Sequence, residues 1–362
     1  MKSFFVACIL LSSSLLAWNL SSESLTRKID SVLPSWMKEG IEEDFRFFKK
    51  GISFSHISLC LQKLKELPGI EKCGLVEIYA NEGAIKSEPL FSLTQEQRKK
   101  LDVFIFAIDQ LQSIKPLSNL HFILSLEPSF NRPFLLKETS IPIFAVSKEK
   151  HNSKVILIPR LWNEDRPFCS FLHPWHLKLE KAIWRGSATD GPYDFLDWDF
   201  RPRSRLTLKS RYDLDHIDAG FIPCATLTSY MTQWLKNLHI MSSYVPPEQQ
   251  MTYKYLVSLD GANSPSSFEW QLFSQSLIFK ASSNKIEWFY RGLLPDHHFL
   301  VFRADTTDLI DKILWAKTHD DEAKIIADRG YQFASTHLAD EEMFVYLYHV
   351  LQKYKTKIVE FY

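Results

Sequence analysis

The sequence has few cysteines, and none has the spacing of a metal site. Five cysteines are spread over 362 residues without a C-x-x-C pair. This spacing argues against a zinc site and gives no disulfide framework. One bridge, between Cys60 and Cys73, is an expectation only if the chain enters an oxidising compartment.

An excess of charge of either sign is also absent. Lysine plus arginine and aspartate plus glutamate both number 43. The protein therefore has no overall field that would draw it onto nucleic acid or an anionic membrane, and we expect no nucleic-acid partner. The sequence has no internal repeat and no low-complexity tract, and beyond its N-terminus no run is apolar enough to span a bilayer.

The N-terminus is the one apolar segment of note. Lys2 precedes the run from Phe4 to Trp18, in the order typical of a secretory signal or a short anchor. We interpret residues 1–18 as a signal-peptide-like or anchor segment, which predicts membrane association or entry into the secretory pathway. The alternative is a buried first helix or strand, because the run is short for a membrane span.

The length of the chain and its apolar pattern predict two α/β domains. A chain of 362 residues with 45% hydrophobic and 24% charged residues exceeds one ordinary core. The spacing of apolar residues predicts that residues 19–115 are mainly helical and that three strands follow before residue 160. Strands then alternate with helices, which favours a parallel sheet, and three helices end the chain. We predict an N-terminal domain at 19–165, a C-terminal domain at 166–335 and a C-terminal helix at 336–362, with a substrate cleft between the domains.

Two segments have the composition of a phosphate site. The first runs from Trp184 to Gly191, and its glycines would let main-chain N–H groups approach an anion. Several arginines follow it and could neutralise a diphosphate: Arg201, Arg203, Arg205 and Arg211. An ordinary turn and a solvated charged face explain the same residues.

The second segment is a strand that ends at Asp260 and Gly261, followed by small residues and the start of a helix at Ser267. A strand, a turn of small residues and a helix N-terminus together form an anion site. Two further motifs are less specific. Asp197 and Asp199 could share a divalent ion, whereas the adjacent His297 and His298 would point apart on a strand.

These motifs, in this order, resemble glycosyltransferase family 90, the group of protein O-glucosyltransferases and lipopolysaccharide-modifying transferases. The resemblance covers roughly half of the chain. It rests on these segments: Trp184-Arg185-Gly186-Ser187, Arg203, Tyr253-Lys254-Tyr255 with Asp260-Gly261, Ser267-Phe268, Leu277-Ile278-Phe279-Lys280, Glu287-Trp288-Phe289-Tyr290, Leu294-Pro295 with His298, and Asp308-Leu309.

The resemblance implies a GT-B-like architecture, with two Rossmann-like domains and the donor in the C-terminal one. It also implies inverting transfer from a UDP-sugar, as a hexosyl- or pentosyltransferase with no cofactor and no essential metal. Two sets of residues would bind the donor. The diphosphate side is Arg185, Gly186, Ser187 and Arg203. The turn around the nucleotide and the sugar is Asp260, Gly261, Ser266 and Ser267, with Glu287 accepting hydrogen bonds from donor hydroxyls.

The resemblance further implies an acidic catalytic base that follows an N-terminal-domain strand and precedes an Ile-Pro-hydrophobic-Phe strand. Glu127 occupies that place, ahead of Ile141. Two residues depart from the family pattern: Pro128 lies where the aspartate is expected, and Glu269 lies near a helix start where some relatives carry arginine.

The sequence thus predicts an inverting glycosyltransferase that acts on a surface saccharide such as lipopolysaccharide or on a protein serine or threonine. A bacterial enzyme of this kind would lie on the cytoplasmic face of a membrane, where nucleotide sugars are made. The first alternative is a catalytically degenerate member of the same fold that binds a sugar or a nucleotide. The second is a metal-dependent transferase or hydrolase that uses Asp197 and Asp199.

Overall fold

The computed structural model describes residues 18, 20–49, 51–67, 69–81, 84–117, 119–127, 141–162, 173–225 and 227–358. The chain forms two compact units. Unit 1 combines the residues up to Trp162 with those from Ala339 onward, and unit 2 is Asn163–Leu338. The sequence places these divisions at 165/166 and 335/336. Apart from Trp18, the predicted leader lies outside the described residues.

Helices and strands are interspersed along both units. The α-helices are α1 (Ser22–Ile29), α2 (Ser35–Phe45), α3 (Phe54–Lys65), α4 (Gln95–Ile114), α5 (Pro202–Tyr212), α6 (Ser229–Asn237), α7 (Pro247–Gln250), α8 (Ser267–Leu272), α9 (Leu309–Thr318), α10 (Asp320–His337) and α11 (Asp340–Lys355). The strands are β1 (Leu75–Asn81), β2 (Ala84–Pro89), β3 (Leu120–Ser125), β4 (Ile143–Ala145), β5 (Ser147–Glu149), β6 (Val155–Leu157), β7 (Leu179–Gly186), β8 (Ile217–Phe221), β9 (Tyr253–Ser258), β10 (Leu277–Ala281), β11 (Lys285–Glu287) and β12 (Leu300–Phe302).

Unit 1 contains a mixed five-stranded sheet in the order β2-β1-β3-β4-β6. Strands β3, β4 and β6 run parallel, and β1 runs antiparallel to both β2 and β3. The predicted strands β3, β4 and β6 are confirmed. The prediction that residues 19–115 are mainly helical is wrong at 75–89. The hairpin there has a buried central strand with Glu77 in it and an exposed edge strand, so neither strand shows a clean apolar alternation.

The C-terminal helix α11 belongs to unit 1, although the sequence marks it as a segment of its own. It contacts α1, α2, α4 and β3. Tyr354 of this helix is buried, with its ring 5.2 Å from that of Phe144, and its hydroxyl donates a 2.6 Å hydrogen bond to the main-chain oxygen of His121. The last helix therefore completes the core begun by the first half of the chain.

Unit 2 contains a five-stranded sheet in the order β12-β10-β9-β7-β8, and all four pairings are parallel. The predicted α/β class and the alternation of strands and helices are confirmed, whereas β8, a short strand with Asp218 and Gly220 inside it, was not predicted. From β7 the chain moves outward to β8 and then returns to the other side of β7 to form β9. The direction of strand addition thus reverses between β7 and β9, and a ligand of such a sheet binds beside the carboxyl ends of the strands at that reversal.

Two further expectations concern cysteines and membrane spans. Cys60 and Cys73 are both buried, and they are thiols instead of the expected disulfide, which corrects that pairing. Across the described ranges, no helix has both the length and the apolarity needed to cross a bilayer.

The hydroxyl of Tyr354 gives a test of how α11 is held in unit 1. Tyr354→Phe removes the bond to His121 and leaves a buried carbonyl without this donor, so we expect a loss of about 1–2 kcal/mol of unfolding free energy. Tyr348→Phe, on the same helix, should change it by less than about 0.5 kcal/mol. Urea unfolding followed by circular dichroism measures both. Equal effects of the two changes would contradict the assigned role of the hydroxyl.

Candidate functional site

Two turns lie at the carboxyl edge of the unit 2 sheet where the strand order reverses. We call residues 186–191, which begin at the last residue of β7, the β7 turn, and residues 259–264, which follow β9, the β9 turn. Because β7 and β9 are neighbouring parallel strands, the two turns leave the sheet side by side. Most of the donor residues expected from the sequence lie on or next to these turns.

Arg203 joins the two turns. It is buried in α5 with 8% of its surface exposed. Its guanidinium donates to the main-chain oxygen of Ser187 at 2.6 Å and to the hydroxyl of Thr189 at 3.0 Å in the β7 turn. In the β9 turn it donates to the oxygens of Leu259 at 3.1 Å and Asp260 at 2.9 Å. Arg203 thus uses its hydrogen bonds on the protein's own turns and fixes the distance between them.

Glycines allow this close packing at two places. A Cβ atom at Gly261 would lie 2.5 Å from the hydroxyl of Thr189 and 2.7 Å from Arg203. A Cβ atom at Gly186 would lie 2.4 Å from the indole of Trp184, and the guanidinium of Arg203 lies 5.4 Å above that ring. Both contacts are below the separation of real Cβ atoms, so each position requires glycine for space.

A second cation binds the β9 turn. The ammonium of Lys285 donates to the oxygens of Gly261 and Ala262, both at 2.8 Å. With Arg203, it occupies the carbonyls of four consecutive residues, 259 to 262. In a trans peptide the N–H of the next residue points opposite to the carbonyl. The N–H groups of Asp260 and Ala262 therefore point away from the two cations, in the manner of a main-chain anion site.

Lys280 and Glu287 fix the flanks of the β9 turn. The buried ammonium of Lys280 lies 3.1 Å from the carboxylate of Asp260, which also accepts from the hydroxyl of Ser283. The carboxylate of Glu287, which is 2% exposed, accepts a 2.6 Å hydrogen bond from Ser264. Asp260 and Glu287, the two acidic donor residues expected from the sequence, thus both have partners within the protein.

Asp190 closes the β7 turn against the start of α5. Its carboxylate accepts from the main-chain nitrogen of Arg203 at 3.0 Å and from the phenol of Tyr193 at 2.6 Å. Burial, followed by the charge of Asp190 and the hydrogen bond to it, raises the pKa of Tyr193, so the phenol remains a donor. Burial lowers the pKa of the Arg203 guanidinium, and Asp190 opposes that change.

The sequence analysis gave no individual role to four residues of this site: Thr189, Asp190, Lys280 and Lys285. Lys280 lies in the carboxyl half of β10, the strand beside β9, and Lys285 lies shortly after the end of β10. That placement is the signal that could have identified them.

The structure does not bring Arg185 to this group. Arg185 is adjacent to Trp184 on β7, and successive side chains of a strand point to opposite faces. Its guanidinium pairs with the carboxylate of Asp218 at 2.8 Å and donates to the main-chain oxygen of Asp218 at 2.9 Å. Of the remaining donor residues, Ser187 gives its carbonyl to Arg203, Ser266 is exposed at the start of α8, and Ser267 is half-buried beside it.

The aspartate motif and the histidine pair have different surroundings. Asp197 pairs with Arg201, whose guanidinium packs against Gly191 at the end of the β7 turn. Within the ranges that the structure describes, no group of three or more histidine, cysteine, aspartate or glutamate residues is placed to hold a metal ion. His298 precedes β12, so it lies at the amino edge of the parallel sheet, where its Nδ1 accepts from the main-chain nitrogen of Leu294 at 2.9 Å. Glu269 is buried within α8.

Glu127 belongs to unit 1 and lies two residues beyond the end of β3. Its carboxylate accepts a 2.9 Å hydrogen bond from the side-chain amide of Gln97, and the side chain is half-buried. Gln97 also forms the capping box of α4 with Thr94. The helix terminus thus orients the carboxylate while leaving part of it accessible. Pro128, the departure from the family pattern, lies outside the described residues.

Comparison with known proteins identifies the family. The family model of glycosyl transferase family 90 matches residues 170–361, more than half of the chain. The chain belongs to glycosyltransferase family 90. The match includes both turns and Arg203, so the elements that form this site are those of the family domain.

Individual relatives match smaller parts. Protein O-glucosyltransferase 2 of Danio rerio is 33% identical over 186 residues, which are 50% of this chain and 33% of that protein. Protein O-glucosyltransferase 1 of Rattus norvegicus is 24% identical over 270 residues, 67% of this chain and 64% of that protein. The matches thus span about a third to two thirds of these relatives' length. Among solved structures, Anabaena HepE in complex with UDP-glucose is 8% identical, with a TM-score of 0.40 over 71% of this chain and 77% of that one.

The role of Arg203 in holding the two turns can be tested by stability. Arg203→Lys keeps a charge but cannot reach both turns, so several buried carbonyls lose their donor. We expect a loss of at least about 2 kcal/mol of unfolding free energy. Arg205→Lys, on the same helix, is the control and should cost less than about 0.5 kcal/mol. Chemical denaturation measures both changes. An unfolding free energy that Arg203→Lys leaves unchanged would show that the two turns hold together without the guanidinium group.

The environment of His298 predicts a pH dependence. Burial, and then the charges of His297 and Arg329, lower the pKa of His298 from 6.5 to about 4. The unfolded chain therefore binds a proton at a pH where the folded protein does not. Between about pH 6.5 and 4 we expect unfolding free energy to fall as pH falls. His298→Asn can still accept the hydrogen bond from Leu294, and it should reduce the change of stability with pH. The exposed His176→Asn is the control and should leave that change as it is. Thermal unfolding at several pH values between about 6.5 and 4 measures both.

Proposed function

We propose that this protein is an inverting glycosyltransferase that moves a sugar from a UDP-sugar to a hydroxyl acceptor. The observation that carries the proposal is the binding of four consecutive carbonyls, from residues 259 to 262, by Arg203 and Lys285. This arrangement turns the N–H groups of Asp260 and Ala262 away from the two cations, at the reversal of strand order where such sheets bind nucleotides. The membership in family 90 supports the same assignment.

In this proposal the diphosphate meets the β9 turn instead of a free arginine. The guanidinium of Arg203 already binds carbonyls of both turns, so it acts on the donor through the turns and through its charge. Lys280 and Lys285 add two more cations, and both bind residues of the β9 turn. Together they would stabilise the charge that develops on the departing UDP, which is the task that a divalent metal performs elsewhere. We therefore expect transfer without an essential metal and without a cofactor.

Glu127 is the proposed general base. A carboxylate can accept the proton of the acceptor hydroxyl as that oxygen attacks the anomeric carbon, while the bond from that carbon to the diphosphate breaks on the opposite face. The hydrogen bond from Gln97 holds one carboxylate oxygen of Glu127 and leaves the other for the acceptor. Attack opposite to the leaving group inverts the anomeric configuration.

The acceptor is proposed as a protein serine or threonine, or a surface saccharide such as lipopolysaccharide. The relatives named protein O-glucosyltransferases support the first of these. For residues 1–18 we keep the proposal of a signal or anchor, with membrane association or entry into the secretory pathway.

Calorimetric titration of the chain with UDP and UDP-glucose, with and without a chelator, tests the donor site. We expect binding that the chelator does not change. Gly261→Ala places a methyl group against Thr189 and Arg203 and should weaken UDP binding at least about tenfold. Ser229→Thr adds one methyl group at an exposed position and should leave binding unchanged. Failure of the unaltered chain to bind any nucleotide would refute the donor site, and binding that is lost with chelator would favour the metal-dependent alternative.

Glu127→Gln tests the base separately from the donor site. The amide keeps the shape of the side chain but cannot accept the proton, so we expect kcat to fall by about 100-fold or more while UDP binding is retained. Glu88→Gln, an exposed change on β2 of the same sheet, is the matched control. Unchanged transfer by Glu127→Gln would exclude this base, and nucleotide binding without transfer by the unaltered chain would indicate the degenerate member of the fold.

A further inference from the structure

Unit 2 contains a cavity that the transferase proposal does not use. Its volume is about 390 Å³, within the range of small-molecule sites. Six residues line it: Trp175, Gln275, Lys324, Asp328, Tyr331 and Gln332. Trp175 precedes β7 and Gln275 precedes β10, so the cavity lies at the amino edge of the parallel sheet. The β7 and β9 turns leave the opposite edge, and the cavity is therefore separate from the proposed donor site.

One wall of the cavity is an aromatic ring held in a fixed orientation. The indole nitrogen of Trp175 donates to the carboxylate of Asp320 at 3.0 Å, and the ammonium of Lys254 lies 5.3 Å from the ring centroid. Lys254 in turn pairs with Asp320 at 2.7 Å. Trp175 thus offers a rigid flat surface whose ordering is complete before any ligand arrives.

The same cavity presents two side-chain amide groups, those of Gln275 and Gln332. Among the described residues, the side chains of Gln275 and Gln332 make no hydrogen bond, and neither does the phenol of Tyr331. Gln275 also adopts the left-handed conformation, with φ at 53°, which is uncommon for a residue with a side chain. Each amide supplies donors and an acceptor together. The cavity therefore combines an apolar wall with several solvent-accessible donors and acceptors that a ligand could bind.

The charges at the cavity cancel. Lys324 and Asp328 pair at 2.7 Å, one turn apart on α10. An anionic ligand would gain no free cation here, and a cationic ligand would gain no free carboxylate from this pair.

We propose that the cavity binds an uncharged saccharide. A pyranose ring has an apolar C–H face that would pack on Trp175, and its hydroxyls are both donors and acceptors, as are the amides of Gln275 and Gln332. This saccharide site goes beyond the transferase function and needs neither a nucleotide nor the base. It would hold a glycan on a surface remote from the donor turns.

Saturation-transfer NMR on the whole chain tests the saccharide site. The probes are methyl α-D-glucopyranoside, methyl β-D-galactopyranoside and methyl β-D-xylopyranoside, each in the presence of excess UDP, with glucuronic acid as the charged comparison. We expect at least one neutral glycoside to bind in the presence of UDP, and glucuronic acid to bind more weakly. Binding that UDP abolishes would place the sugar at the donor turns and overturn the proposal, as would the absence of binding by all three glycosides.

Two variants locate the bound sugar. Gln275→Gly adopts the left-handed conformation without strain, so the unfolding temperature should not fall, while loss of the amide should weaken glycoside binding about tenfold. Gln332→Ala, at an exposed position, should weaken it by a similar factor, and Gln249→Ala on α7 should not change it. Glycoside binding that neither cavity variant weakens would refute the site. Retained UDP binding by the same variants separates this result from failure of the transferase proposal.

Discussion

The close approach of two turns around one buried guanidinium is the constraint on which unit 2 depends. Arg203 requires carbonyls at fixed positions in both turns, because each of its N–H groups points in a set direction within one plane. Its burial requires that these carbonyls be present, since an unpaired buried charge is costly. Gly186 and Gly261 supply the space, and Asp190 aligns the start of α5 so that Arg203 enters between the turns. Removing any one of these features would leave a buried cation with incomplete hydrogen bonding.

The same constraint explains why the cations of the site are internal. Arg203, Lys280 and Lys285 bind oxygens of the protein and do not extend into solvent as free side chains. Cations held in this way lose little conformational entropy when a ligand binds, because their rotamers are already fixed. In the proposed donor site their charge would act on the ligand through oriented peptide groups, and such preorganised dipoles require no rearrangement as charge develops.

The sequence predicts the α/β class and most of the strands of unit 2, because short apolar runs between helical segments mark a parallel sheet. It does not predict β8, whose five residues include a charge and a glycine, or the hairpin that joins the buried strand β1 to the exposed edge strand β2. Strand elements of this kind are recognised by their neighbours in the sheet, which are distant in sequence. Sequence pattern therefore suffices to predict the class of fold, whereas these remaining strands are defined by their pairing with neighbouring strands in the sheet.

The candidate site, like the fold, is predictable only in part. Glycines, small residues and charge identify the two turns and Arg203 in the sequence, but the sequence assigns Arg203 and Arg185 the same role. Strand alternation puts Arg185 on the other face of β7 with Asp218, and that result follows only once β7 is known to extend through Gly186. The carbonyl partners of Arg203 and Lys285 carry no side-chain signal at all, because main-chain oxygens are common to every residue.

The return of the chain to unit 1 after Leu338 has a consequence for biosynthesis. Unit 2 is one continuous stretch, whereas unit 1 needs α11 to complete its core around Tyr354. On a ribosome, where the chain emerges from its N-terminus, the second unit therefore has all its residues available before the first one does. The early half of the chain has an incomplete core until α11 has been translated, and during that interval its exposed apolar surface is open to non-native association.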